Sequence, residues 1–487
     1  MLRLFTATKL LGKKNKSNLI KHESNKMLNS KLIQALSTKD TFTNNGAITN
    51  STSLSSVLDL FFIAGASRTI DEQSICNMLT KAYDENPTLT LKVIFWAGDI
   101  RGGQGERRFF RLALKWLEAY HSSVLENILH LVPEFNRWDS LFELNSTKVF
   151  DLVNSALTAN NQLCGKWMPR RKQYNNFAGR YRSHFKISPK IYRSIIVAKT
   201  SVVETQMCKN EWSEIEYSKV PSVAFSKYRK AWKRNDETRF TSFLSEVVKG
   251  EKKINASVIF PHDIYKSFKT GGDELSIDAQ WKCLPNYLEN SEERILPVCD
   301  VSGSMQGLPM EISISLGLYF SERNNSFFKD SFITFSEKPK LETLKGSLTQ
   351  RIRQLESADW GTNTNLIAVF DLILNAAISN KLSNEDLPTM LIIISDMEFD
   401  LACGNQTNFE VIQSKFDKAG YKTPSLIFWN VNGRENNVPV NTKDQNVALV
   451  SGSSPVTIKS ILSAKQITPM DVMMNTLNNK RYDCVRV

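Results

Sequence analysis

Three five-residue runs, Ile295-Leu-Pro-Val-Cys299, Met390-Leu-Ile-Ile-Ile394 and Ser425-Leu-Ile-Phe-Trp429, are almost wholly apolar and lack the alternation of a half-exposed strand. A strand apolar at successive positions is covered on both faces, as in a parallel sheet flanked by helices. Two further strands are expected at Ser331–Phe335 and Asn446–Val450. Helical patterns at Leu308–Phe320, Thr364–Leu374, Phe409–Phe416 and Val456–Leu462 separate the runs. The chain after Asn290 therefore predicts a doubly wound, Rossmann-like α/β domain, with its open sheet over about residues 291–465.

Ligands of such sheets sit beyond the carboxyl ends of the strands. Three segments reach that edge: Asp300-Val-Ser302-Gly-Ser304 after one strand, Gly361-Thr-Asn-Thr364 at a helix start, and Ser395-Asp396 after another strand. Carboxylate and hydroxyl oxygens are hard ligands, suited to octahedral Mg²⁺ (or Mn²⁺) that keeps several waters. The expected ligands are Asp300, Ser302, Ser304, Thr364 and Asp396, with Thr362 as the rival to Thr364. So few formal charges leave the ion electrophilic towards an outside carboxylate or phosphate. The plain alternative is an Asx-turn at Asp300 and a helix cap at Thr364.

Before Asn290 the texture is helical. Apolar residues recur at three- and four-residue spacing in Leu54–Phe62, Ile75–Ala82, Leu89–Trp96, Phe109–Leu117, Val124–Leu131, Ile191–Val203 and Thr238–Val248. Short helices joined by polar turns predict a bundle or an α-solenoid. One turn, Gly98-Asp-Ile-Arg-Gly-Gly-Gln-Gly-Glu-Arg-Arg108, frees the backbone just before a helix. It reads either as an N–H cradle for a phosphate beside Arg101 and Arg107, or as a tight helix–helix connection with Arg101 pairing locally.

Charge divides the chain in the same place. Residues 1–290 carry a net +15 and residues 291–487 a net −3, against +12 for the whole. Between Asp151 and Glu204 there is no acidic residue. That gap holds Lys166, Arg170, Arg171, Lys172, Arg180, Arg182, Lys186, Lys190, Arg193 and Lys199, interleaved with aromatics such as Trp167, Tyr174 and Tyr181. Such a stretch suits phosphates and unpaired bases; it also suits a solvated face or a basic surface on an acidic neighbour. Residues 1–21 are acid-free, and 39–56 read as a polar linker, so 1–53 is expected as a basic, poorly ordered arm; a mitochondrial transit peptide is the rival reading. At 487 residues and 41% hydrophobic, the chain has room for two or three domains. No apolar run reaches eighteen residues, which excludes a transmembrane helix and any membrane partner of that kind. Seven scattered cysteines without a C-x-x-C pair argue against a zinc ribbon and for a reducing, cytoplasmic setting.

Asp300, Ser302, Ser304, Thr364 and Asp396 match in order the five positions of the metal-ion-dependent adhesion site of von Willebrand factor A domains, which residues 291–465 resemble. The resemblance implies that both serines and the threonine touch Mg²⁺ and that the aspartates often act through water. A basic helical domain (54–290) followed by such a domain (291–487) resembles the Ro ribonucleoprotein (TROVE) proteins. Asp99–Arg107, Arg137-Trp-Asp139, Val203-Glu204, Val220-Pro-Ser222, Phe260-Pro-His262 and Trp360-Gly-Thr-Asn-Thr364 resemble a sister family of that design, over about residues 55–480. The resemblance implies a HEAT-like helical domain that binds single-stranded or small structured RNA, and a metal site that takes a carboxylate from a protein partner. The alternative is a metal-dependent protein-interaction scaffold without RNA. A hydrolase would need a second metal cluster and a positioned base; neither is legible, so no enzyme is expected.

Overall fold

The computed structural model describes residues 41–170, 175–256, 258–336, 338–358, 364–401, 406–442 and 444–487. Between 56 and 282 the described residues form short helices in sequential contact: Ser56–Ala64, Glu72–Glu85, Pro87–Gly98 and Arg107–Tyr120 pack side by side. Local chemistry sets their starts. The side chains of Ser55, Asp71 and Asn86 each accept a backbone N–H of the first turn, and Pro87 follows Asn86 where its missing N–H costs nothing. Ile75, Leu79 and Ala82 are the buried stripe of Glu72–Glu85, at the spacing the sequence shows.

The chain after Asn290 forms a six-stranded mixed sheet. Its strands are β3 (Ile295–Cys299), β4 (Ser331–Thr334), β5 (Leu341–Thr343), β6 (Met390–Ser395), β7 (Ser425–Asn430) and β8 (Val447–Ser451); β1 and β2 belong to a hairpin near the N-terminus, described below. The order is β5-β4-β3-β6-β7-β8, all parallel except the edge strand β5. Every residue of β3, β6 and β8 is buried, so both faces of the sheet are covered. Pro297 lies in the middle of β3, and pairing with β4 begins only at Val298, one residue past the position that has no N–H to give. The sequence leaves β5 unread because Leu341-Glu-Thr343 is largely exposed and carries no apolar run.

The two parts share one apolar core. Helix Ser56–Ala64 packs on β8 and on helix Pro469–Leu477, while helix Pro261–Lys269 packs on Leu308–Arg323, which covers β3. A second, smaller core lies within the helical part, where Phe225, Trp232 and Phe240 are buried around Tyr217. No helix among the described residues is long and apolar enough to cross a membrane.

The expected linker is a correction. Residues 41–50 form an antiparallel hairpin, β1 (Thr41–Phe42) with β2 (Ile48–Thr49), docked on the loops that leave β6 and β7. Its polar residues made it look like linker, but Thr43, Thr49 and Asn50 spend their polar groups on Phe399, Asn437 and Val438.

Candidate metal centre

β3 lies between β4 and β6, so the chain leaves β3 towards one side of the sheet and returns on the other. In open sheets of this kind, the place where ligands bind is beside such a switch point, beyond the carboxyl ends of the strands. Asp300 ends β3 and Asp396 follows β6, both buried. Asp300 N donates to Ile394 O at 3.0 Å, fixing the two strand ends together. Asp300 Oδ1 accepts from Ser302 N at 2.9 Å, and Oδ2 accepts from Ser395 Oγ at 2.6 Å. Ser302 Oγ and Ser304 Oγ lie 3.1 Å apart, with Ser304 exposed to solvent. Burial, with the charge of Asp396 second, pushes the Asp300 carboxyl up to about 6. Asp396 Oδ2 has Arg434 Nη2 at 3.4 Å.

The donor set fits a small hard cation. Two buried carboxylates and two adjacent hydroxyls come together there, and burial and the Asp396 charge both raise Asp300. Among the described residues no group of three or more His, Cys, Asp and Glu forms a metal cage. A cation here would therefore rest on hydroxyls and water as much as on carboxylates.

Thr364 differs from the expectation. Its hydroxyl donates to Glu398 O at 2.5 Å, accepts from Asn45 Nδ2 at 3.0 Å, and lies 3.3 Å from Asp400 Oδ1. It is turned to the β6 exit loop and the N-terminal hairpin, and is 1% exposed. Its rival Thr362 lies outside the described residues. Sequence reasoning missed Glu398, Asn45, Arg434 and Asn437. Glu398 is buried and takes Asn44 N at 2.5 Å, Asn437 Nδ2 at 3.1 Å and Arg434 Nε at 3.5 Å. The run Asp396-Met-Glu-Phe-Asp400 after an apolar strand was the legible signal for it; Asn45, in a polar stretch, gave none.

The glycine turn is a clasp rather than a phosphate cradle. Gln104 N donates to Trp96 O, Gly105 N to Asp99 O and Glu106 N to Ala97 O, so three of the turn's N–H groups are spent within it. A Cβ at Gly103 would stand 1.8 Å from Trp96 O, which only glycine avoids, and Gly105 has φ +64°. Asp99 receives Arg481 in a two-pronged pair, with Nη2 at 2.7 Å, and also Tyr482 Oη at 3.1 Å. Gln104 Nε2 donates to Thr457 Oγ1 at 2.9 Å, and its Oε1 accepts from Ser454 N at 2.8 Å. Arg101 Nη1 donates to Glu134 O at 2.9 Å, the local pairing weighed above; Arg107 is exposed.

The acid-free stretch divides into tethered and free cations. Lys166 pairs with Glu204 at 2.8 Å. Arg170 donates to Lys166 O, Gly165 O and Thr200 Oγ1, closing the end of helix Gln162–Trp167. Arg180 binds Leu144 O and Asn145 Oδ1, and half-buried Arg182 turns back to Ala178 O. Lys186, Lys190 and Arg193 are exposed and make no ion pair among the described residues. Arg171, Lys172 and Tyr174 lie outside those residues. Tyr181 and Tyr192 are core residues and offer no open face to a base, and half-buried Trp167 carries Arg137 over one face of its ring at 3.7 Å.

Residues 294–483 match the model of a domain of unknown function, DUF7788. Residues 43–139 and 158–293 match another, DUF2828. The matched ranges meet at 293 and 294, just before β3. The chain is 29% identical to Uncharacterized protein L728 of Acanthamoeba polyphaga mimivirus, over 90% of this chain and 87% of that protein.

Proposed function

We propose that the protein is a Mg²⁺-dependent interaction protein. In this reading a von Willebrand A-type domain takes a carboxylate from an acidic partner, and the helical domain, built on the Ro-like plan, carries it. One observation carries the reading: the buried carboxylates of Asp300 and Asp396 stand side by side where the strand order diverges, with Ser302 and Ser304 beside them. These side chains would hold the ion, and bound Mg²⁺ would supply an open electrophilic position for an outside oxygen. Among the described residues, the nearby carboxylate of Glu398 is taken up by Asn44, Asn437 and Arg434, which favours binding over hydrolysis. Calorimetry of the full chain tests the reading: weak Mg²⁺ binding in wild type that is lost in Asp300→Ala supports it, and equal affinity in both removes it.

RNA binding is the second reading. It is favoured by the exposed, unpaired Lys186, Lys190 and Arg193 and by the acid-free helix Ser222–Asn235, which presents Lys227, Lys230 and Arg234 to solvent. The contact would be chiefly with the phosphate backbone, since Tyr181 and Tyr192 are buried in the core.

A further inference from the structure

The mouth of the metal centre is touched by a segment some 320 residues distant in sequence. Asn45, exposed at the tip of the hairpin, gives its one amide nitrogen to both Thr364 Oγ1 (3.0 Å) and Glu398 O (2.7 Å). Asn44 N donates to Glu398 Oε2, Thr43 Oγ1 donates to Phe399 O at 2.7 Å, and Gly46 bridges to Asp400. The hairpin thus grips Glu398–Asp400 of the exit loop of β6, the loop that carries Asp396. It is also weakly built: its strands have two residues each, and Phe42 is 66% exposed. A two-stranded hairpin of that length has little stability of its own. Its hold depends on what it docks against.

We propose that this hairpin is a built-in latch on the metal centre. The inference rests on the metal reading above. To serve an ion held by Asp300 and Ser302, the Thr364 hydroxyl can keep its proton on Glu398 O but must offer the ion a lone pair, for which Asn45 Nδ2 competes. The docked hairpin then stabilises a closed form in which Thr364 is withheld, and ion binding with the hairpin released is the open form. The two states are linked reciprocally: whatever favours the ion loosens the hairpin, and whatever loosens the hairpin tightens the ion. In the closed form residues 43–46 sit on Thr364 and on Glu398–Asp400, next to Asp396, so an acidic partner that approaches the ion from that side competes with them.

The test compares full-length wild type with Asn45→Ala, titrated with Mg²⁺ by calorimetry. Asn45 is exposed, so its truncation removes the two latch bonds to Thr364 and Glu398 without opening the core. The expected result is binding at least about 5-fold tighter in the variant, the lower end of ordinary coupling. In parallel, hydrogen exchange at the Asn44 and Asn50 amides of wild type, which donate to Glu398 and Val438, should speed up on adding Mg²⁺. Equal affinities with unchanged exchange overturn the latch while leaving the metal centre intact. Weaker binding in the variant also overturns it, by making Asn45 a support of the site. Failure of both proteins to bind Mg²⁺ removes the metal reading, and the latch with it.

Discussion

Replacing Arg481 by Ala tests whether the glycine turn and the C-terminal tail hold the two parts together. Asp99 has a fully buried carboxylate, and Arg481 is about one-third exposed. Stranding a buried charge by removing its partner costs about 3–5 kcal/mol. Here two donors stay behind, Arg101 N at 3.0 Å and Tyr482 Oη at 3.1 Å, and water can enter where the guanidinium stood. The loss should therefore fall to about 2–3 kcal/mol, including the contact of the guanidinium with the Phe135 ring at 4.7 Å. Asp99→Asn in the Arg481→Ala background removes the stranded charge, so the double variant should be more stable than Arg481→Ala alone. The assay is urea unfolding followed by tryptophan fluorescence, with midpoints and slopes compared across the cycle. A loss below about 0.5 kcal/mol, typical of a neutral surface change, would refute the clasp. So would a double variant that loses the sum of the two single losses.

Three further outcomes follow from the geometry. In chelator-treated protein, Asp300 keeps a proton in the folded state up to about pH 6, while an ordinary unfolded Asp (3.8) has lost it. The folded state binds the extra proton between those values, so stability falls as pH rises through this window. Asp300→Asn should therefore stabilise the protein at pH 7.5 by up to about 3 kcal/mol and confer little at pH 4, measured by denaturant midpoints. Replacing Lys186, Lys190 and Arg193 together by Ala should flatten the salt dependence of single-stranded RNA binding by about 2 in log–log slope, read by fluorescence anisotropy, with unfolding unchanged. Tyr181→Ala should cost about 3–5 kcal/mol of stability as a core truncation, measured by urea unfolding. Tyr181→Phe, which gives up only the 3.1 Å hydrogen bond to Asn154, should cost about 1 kcal/mol.

The strands were legible because burial on both faces leaves a mark in the sequence that needs no partner to read. Five of the six sheet strands stand where the apolar runs put them, and the helix Glu72–Glu85 buries the three residues its periodicity names. Asp300 and Asp396 were legible because strand ends at a switch point come together in any sheet of this order. What failed depended on long-range polar contacts. Nothing in Lys166 or Arg170 announces that Glu204 and Thr200 will claim them, and the alternation of cations with aromatics between 166 and 199 is that of amphipathic helices whose rings face inward. The hairpin failed for the same reason: a polar segment that satisfies itself on another loop has the composition of a linker. The glycine turn was read correctly as a place where the backbone needs freedom, but its ligand is the C-terminal tail.

The packing of helix Ser56–Ala64 against β8 has a consequence for how the chain is made. Ser451 Oγ donates to Phe61 O across 390 residues, and Arg481 and Tyr482 close on Asp99 across more than 380. At synthesis rates of 5–20 residues per second, the first helix waits roughly 20–80 s on the ribosome for the strand it rests on. Over that interval the helix can pack on Glu72–Glu85 and Pro87–Gly98, with Phe61 stacked on Trp96, but the stripe that rests on β8 has no native cover. A chain cut short before residue 447 would keep that stripe uncovered for good.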